Sequence, residues 1–315
     1  MVTDPARRDP LQQAIESFPL VILPEPSRVF LDRAKRLSAL AQGHPLADWL
    51  SFLRRLTEAQ HRLLQEYPGL SNPDEGAVAP APGHHEPPIL ASSGPRDPAW
   101  QQALAGLANE LAPRAPTLSQ RTLDRLKTMD GPALEMLADR VLRLERDGPD
   151  IDAFPFVAAV LQVHWTALAG RLDRTHLSPG DAPGACPCCG FSPMAAVVRA
   201  RGAAARLRYL HCALCNAEWH LVRATCSACT DAGSIAYYHI EGSDGSVRAE
   251  ACDACRTYLK IVSQEKSPAA DPVADDLATL ALDLLVEGEG YKRMSPNLLF
   301  PRKSDIGPRK NHRGR

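Results

Sequence analysis

Nine cysteines carry the chemistry of this 315-residue chain, and eight of them form four Cys-x-x-Cys pairs: Cys186/Cys189, Cys212/Cys215, Cys226/Cys229 and Cys252/Cys255. Such a pair closes a tight turn around a thiophilic ion, and two turns complete a four-sulfur set. The first two pairs map onto the last two by a shift of 40 residues, with 22 residues between the pairs of each copy. This is the spacing of two knuckles brought together by a short strand ribbon. A repeat implies one internal geometry used twice. Cys186, Cys189, Cys212 and Cys215 are therefore expected to hold one metal ion, and Cys226, Cys229, Cys252 and Cys255 a second. A crossed arrangement across the ten-residue gap from Cys215 to Cys226 would break the symmetry and is disfavoured.

Disulfides are the competing reading, and the first choice in a secreted mini-protein. Here Arg7-Arg8 is followed by Asp9-Pro10 rather than an apolar run, the stretch from Phe18 to Leu23 is short and broken by Pro19, and no apolar run has the length of a bilayer span. A cytoplasmic protein with reduced thiols, and so metal, is expected. A thioredoxin-like role for one pair would need a βαβ setting that this segment does not show. Pro187 and Gly190 suit the first knuckle, and Asn216 can take the conformation of a glycine in the second. Cys188 has no counterpart, since Ala228 stands in the second copy. It is either a small residue tolerated beside a turn or a thiol that permits ligand exchange or metal-ejecting oxidation. Trp219, Leu221 and Val222 align with Leu259, Ile261 and Val262 as expected strand residues. A unit of this size buries too little apolar surface to fold alone, so each ribbon should depend on its ion.

The elements that must position these sites are mostly helical. Aromatic residues make up 5% of the chain, the net charge is -1, and Leu, Ala and Val supply the apolar content, so there is no bulk electrostatic pull toward nucleic acid or membrane. Phe30, Ala34, Leu37 and Ala41 mark one helical face ending at Gly43; Leu46, Trp49, Leu50, Leu53 and Leu56 mark the next, opening at Pro45. Pro73 to Pro98 contains seven prolines and reads as an exposed linker. Helical spacing resumes at Trp100, Leu104, Leu107 and Leu111, then from Leu123 to Leu144 and from Phe156 to Leu168, with breaks at Gly131-Pro132 and Asp147-Gly148-Pro149. Beyond the cysteines, Asp271 and Pro272 open a closing helix with Asp275 and Asp276 in its first turn. Leu277, Leu280, Ala281, Leu284 and Leu285 form an apolar stripe expected to pack inward, with Gly288 and Gly290 as stop signals.

The remaining candidates carry less. His84-His85 lies in the proline-rich segment away from any cysteine. His211 and His220 flank the second knuckle and are expected to bond to sulfur or face water. Glu218 and Trp219 are either partner contacts or a capped core tryptophan. No phosphate loop, Ser-His-Asp order or paired catalytic carboxylates stand out, so no enzyme is expected. Arg199, Arg201, Arg206 and Arg208 form an acid-free cluster that raises nucleic-acid binding as an alternative. Against it, residues 181–262 hold eight Lys or Arg and seven Asp or Glu. A phosphate-tracking surface needs a larger excess. The tail from Arg302 to Arg315, with six basic residues and one Asp, reads as a disordered end.

Taken together, these segments resemble the formate dehydrogenase accessory family FdhE. The resemblance rests on Cys-Pro-x-Cys-Gly at 186–190, Arg208-Tyr209-Leu210-His211-Cys212, Glu218-Trp219, Arg248-Ala249-Glu250, Tyr258-Leu259-Lys260 and the run from Asp271 to Asp283. It is specific over residues 181–291 and looser around Arg33-Ala34, Leu37, Leu40-Ala41, His44-Pro45-Leu46 and Gln60. It implies a cytoplasmic, non-enzymatic maturation chaperone that binds the catalytic subunit of a respiratory formate dehydrogenase before export, with rubredoxin-like iron sites. Zinc accepts the same four thiolates. A rubredoxin-like electron carrier is a further alternative. The expected architecture is multidomain, α plus small β. It comprises an N-terminal arm (1–26), a helical domain (27–175) with the linker at 73–98, two tandem rubredoxin-like or zinc-ribbon modules (181–223 and 224–266), a closing helix (271–290) and a basic tail (295–315).

Overall fold

The computed structural model describes residues 18–67, 86–91, 96–148, 150–180 and 182–300. Arg7-Arg8, His84-His85, most of the proline-rich linker and the tail from Arg302 lie outside the described residues.

Helical periodicity sets the first layer. Helix α1 (Val29–Leu40) buries Phe30, Arg33, Ala34 and Leu37, and α2 (Ala47–Gln65) buries Leu50, Leu53, Leu56 and Gln60 among others. Helix α3 (Ala99–Leu111) buries Trp100, Leu104, Leu107 and Leu111, and α4 (Thr117–Thr128) buries Leu123 and Leu126. The Gly131-Pro132 break is the opening of α5 (Gly131–Leu142), where the Asp130 side chain accepts from Ala133 N. Helix α6 (Phe154–Ala169) is apolar on nearly every side and sits centrally against α2, α3 and α5. Contrary to the expectation that no apolar run has the length of a bilayer span, the segment Ile151–Ala169 is long and apolar enough to cross a membrane, because the His, Gln and Thr side chains in it carry no charge, but 78% of its hydrophobic window is buried inside the protein.

The second layer is a single sheet of eight strands in the order β1-β4-β3-β2-β7-β6-β5, with β8 also paired to β7. The strands are β1 (Val21–Ile22), β2 (Pro193–Val198), β3 (Arg208–Cys212), β4 (Glu218–His220), β5 (Ile235–Tyr238), β6 (Val247–Cys252), β7 (Thr257–Ser263) and β8 (Lys292–Arg293). Ribbon 1 is the antiparallel set β2-β3-β4 and ribbon 2 the set β5-β6-β7. They fuse where β2 runs parallel to β7, pairing Ala195 with Lys260 through Val198 with Ser263. The copies thus follow one another head to tail. One apolar core runs from the helices into ribbon 1 and reaches Leu259 and Ile261. A smaller one lies between ribbon 2 and the C-terminal helices, built from Val247, Ala249, Tyr258, Leu282 and Val286.

Three further expectations need correction. The closing helix is two helices, α7 (Pro272–Ala278) and α8 (Leu280–Gly288), broken at Thr279 with φ -119° and ψ 38°. The break shifts the helical phase, so Leu282, Asp283 and Val286 face inward while Leu284 and Leu285 are 63% and 58% exposed. Leu221 and Val222 fall outside β4, and Val222 is exposed, whereas Leu259, Ile261 and Val262 all lie in β7. Finally, residues 86–91 of the linker pack against the sheet: Ile89 N donates to Cys188 O at 3.1 Å and Ala91 N to Cys189 O at 2.9 Å.

Candidate metal centres

The structure gathers the eight paired cysteines into two groups, Cys186, Cys189, Cys212 and Cys215 in ribbon 1 (site I) and Cys226, Cys229, Cys252 and Cys255 in ribbon 2 (site II). Within each group the sulfurs all lie within 4.8 Å of one another. Each knuckle reverses on a residue with positive φ: Gly190 (75°), Asn216 (59°), Thr230 (64°) and Arg256 (56°). The turn aims backbone N–H groups at sulfur, as Leu214 N and Cys215 N do toward Cys212 Sγ and Ala228 N does toward Cys226 Sγ, all at 3.4 Å.

The spacing suits an ion. A tetrahedral four-sulfur site with bonds of about 2.3 Å has sulfur–sulfur edges of about 3.8 Å. The pairs Cys186–Cys215 and Cys189–Cys212 are 3.5 Å apart, Cys226–Cys255 3.6 Å and Cys229–Cys252 3.7 Å. These separations are far longer than a disulfide bond, and all nine cysteines are free thiols. In site I, burial pushes the Cys189 and Cys215 thiols well up. Burial also disfavours the Cys186 thiolate, yet hydrogen bonds from Cys188, Cys189, Cys212 and Cys215 hold it well below the usual thiol range. Four ionised sulfurs at this distance need a cation, so both donor sets fit a thiophilic metal. Iron and zinc suit them alike.

The two sites differ in cover. All four sulfur residues of site I are at most 1% exposed, whereas Cys229 is exposed and Cys255 half-buried in site II. The helical layer seals site I. Besides the strap at 86–91, Gln162 Nε2 of α6 donates to Ala213 O in the second knuckle at 2.7 Å, and Gln60 Nε2 donates to Gln162 Oε1 at 3.0 Å. Asn216 Nδ2 donates to Thr166 Oγ1 at 2.7 Å while its Oδ1 accepts from Arg33 at 2.8 Å. Sequence reasoning missed Gln162; a lone amide inside the apolar run from Phe154 to Ala169 was the available signal. Cys188 is fully buried inside the first knuckle. It is not an exposed thiol.

The other sequence candidates become structural. His211 contacts neither sulfur nor water-facing surface: its ring nitrogens lie 3.2 Å from Glu218 Oε1 and 3.3 Å from Asn216 Oδ1. His220 is half-buried beside Phe18 and Tyr209. Trp219 is a core residue, 1% exposed, donating to Pro183 O at 2.9 Å. Burial opposes the Glu218 carboxylate, but Arg199 and His211 hold it below the usual range. The arginine cluster disperses, since Arg199 pairs with Glu218 and buried Arg208 with Glu250, each at 2.6 Å. Beside site I a pocket of about 230 Å³ is lined by Leu90, Leu142, Leu144 and Phe191 together with Asp139, Arg143, Cys189 and Ser192.

The Asp271–Asp276 run is a clamp. Asp271 caps α7 through Val273 N and Ala274 N and accepts from Arg33 Nε at 3.1 Å; Asp275 pairs with Arg36 at 2.6 Å. Asp276 and Asp283, both fully buried, lie 3.2 and 2.6 Å from Lys260 Nζ and 2.6 and 3.1 Å from the Arg293 guanidinium. Burial disfavours the Asp276 carboxylate, yet Arg293 and Lys260 hold it below its ordinary value.

Three family models match the chain: "FdhE, N-terminal" over residues 18–181, "FdhE, central domain" over 185–223 and "FdhE, C-terminal domain" over 224–300. A "Protein FdhE homolog" of Serratia proteamaculans is 39% identical over 289 residues, covering 91% of this chain and 93% of its own. A "Protein FdhE" of Escherichia coli is 35% identical over 292 residues, covering 92% and 94%. The crystal structure of the FdhE protein from Pseudomonas aeruginosa superposes with a TM-score of 0.81 at 34% identity, over 90% of this chain and 99% of that one.

Proposed function

The chain belongs to the FdhE family, and from that premise we propose that it is a cytoplasmic accessory protein for the formation of active respiratory formate dehydrogenase. It binds the catalytic subunit of that enzyme before export and does not itself turn over formate. The eight paired cysteines are the proposed ligands of two ions, with iron assigned through the family resemblance. Iron in a four-thiolate site supplies one-electron redox chemistry; zinc supplies shape alone.

One observation carries this reading: two four-sulfur sites are built into a single sheet, one sealed by the helical layer and the other open at the surface. That division suits a fixed body presenting a metal-dependent docking module. Two of the four clustered arginines, Arg199 and Arg208, are each paired with a carboxylate, Glu218 and Glu250, which weakens the support for nucleic-acid binding.

Affinity capture of the catalytic subunit from anaerobic lysate tests the proposal, comparing native protein with Cys186→Ser/Cys189→Ser and Cys226→Ser/Cys229→Ser variants and measuring metal in each. Capture by the native protein that falls with loss of metal is expected. No capture by metal-loaded native protein overturns the reading. The open site II also favours a second reading, electron transfer; reversible reduction of the bound metal by a soluble donor would support it, and a colourless zinc protein would remove it.

A further inference from the structure

The two ribbons are copies of one fold, so what covers ribbon 1 shows what the matching surface of ribbon 2 is shaped to receive. In ribbon 1 the outer edge of β2 is filled by β7 in parallel, and the first knuckle's carbonyls at Cys188 and Cys189 accept from the strap at 86–91. The counterpart of β2 in ribbon 2 is β5, which ends the sheet among the described residues. The bond from Asp253 N to Ser234 O, 2.8 Å, sets the phase of the β5–β6 ladder. By the alternation of antiparallel pairs, Ala236 and Tyr238 bond inward to β6, and the N–H and C=O groups of Ile235 and Tyr237 point outward. Beside this edge Ala228, Cys229 and Thr230 of the first site II knuckle are exposed, as is Tyr237. Sheet edges are usually blunted by Lys, Pro or a bulge. The Ile-Ala-Tyr-Tyr sequence of β5 has neither Lys nor Pro.

Charge selects the occupant. Between Arg223 and Arg248 the chain carries Asp231, Glu241 and Asp244 and no Lys or Arg; Arg248 itself lies over the Tyr237 ring, 5.1 Å from its centre, but its single charge is outweighed by these carboxylates together with four thiolates around a divalent ion. We propose that the β5 edge, with the knuckle at 226–230, is a docking site that takes an extended, basic segment of a partner polypeptide as an added parallel strand. The partner's identity rests on the function proposed above: the segment belongs to the formate dehydrogenase catalytic subunit. A second copy of this chain could present only its own β5 or the two-residue β1, because β7 is paired on both edges and the outer edge of β4 is covered by β1; a β5–β5 pairing would show as a dimer by analytical ultracentrifugation and would overturn this assignment.

The test uses full-length, metal-loaded protein and fluorescence anisotropy with a short labelled peptide of alternating Lys and Val, against its Glu-Val counterpart. The Lys-Val peptide binds and the Glu-Val peptide does not. Tyr237→Pro removes an outward N–H while leaving the β6 ladder intact, and weakens binding about tenfold or more. Glu241→Lys, at an exposed residue outside the strands, weakens binding and its salt dependence together. Metal content and unfolding midpoint confirm that each variant is folded. Failure of the Lys-Val peptide to bind, or equal binding by native protein and both variants, overturns the site. In the capture experiment, loss of the catalytic subunit by both variants supports the proposal. Equal capture by native protein and both variants overturns the edge as the client site and leaves the accessory function standing. Variant-sensitive peptide binding without capture by native protein supports the edge and overturns the accessory function.

Discussion

Gly190 shows how tightly single residues are held around site I. Its φ is 75°, and a Cβ there would fall 2.9 Å from Leu90 Cδ1. Asn216 takes a similar conformation with a side chain that the helical layer uses, bonding Thr166 and Arg33. Gly190→Ala therefore meets both backbone strain and the strap, at a cost of about 1–3 kcal/mol; metal titration is expected to show weakened site I and unchanged site II. His164 sets a pH dependence. Its imidazole is buried against Tyr67, 3.3 Å from the hydroxyl, and burial pushes its pKa down to about 4. The unfolded chain takes that proton near pH 6.5. Between pH 6.5 and about 4 the unfolded state binds more protons, so this contribution is complete above 6.5 and is lost as pH falls. The full effect is about 3 kcal/mol. Urea unfolding of native protein and His164→Gln across this range should converge as the pH drops, because the substitution removes the titrating ring. A constant gap between the two curves would refute the assignment.

At the level of elements, the sequence was most informative where local periodicity decides structure and least where a distant side chain intervenes. Faces such as Phe30-Ala34-Leu37 and Trp100-Leu104-Leu107-Leu111 could be read directly because they need only a helix and a neighbour. The stripe from Leu277 to Leu285 misled because Lys260, on β7, inserts its ammonium group at the carbonyls of Asp276 and Thr279, both at 3.0 Å. The helix breaks there and restarts out of phase. Lys260→Ala leaves Asp276 and Asp283 short of a cation and should destabilise the metal-loaded protein by about 3–5 kcal/mol. Lys260→Arg retains the charge and should lose less. Chemical denaturation of both variants measures the difference, and equal losses would mean that packing, not charge, sets the cost.

For the molecule as a whole, cysteine spacing made the two sites legible, since the 40-residue shift is carried in the covalent chain. It could not show that the ribbons share one sheet: the β2–β7 pairing joins residues more than 60 positions apart through an unmarked parallel register. Nor could it show that a proline-rich segment would be docked at a knuckle. The resulting difference in cover predicts two-phase metal release to a coloured chelator, with site II emptied first and Cys229 modified first by a thiol reagent, as peptide mass mapping would show. Single-phase release from both sites would contradict it. Trp165 Nε1 of α6 donates to Ile89 O at 3.0 Å, anchoring the strap whose neighbouring amides bond the site I knuckle. Strap docking and ion capture are therefore linked equilibria, and each must strengthen the other by the same factor. Trp165→Phe, which touches no sulfur, should lower affinity at site I, and removing that ion should speed proteolysis of the strap. The affinity of this centre is thus a property of the proline-rich crossing as much as of its four thiolates.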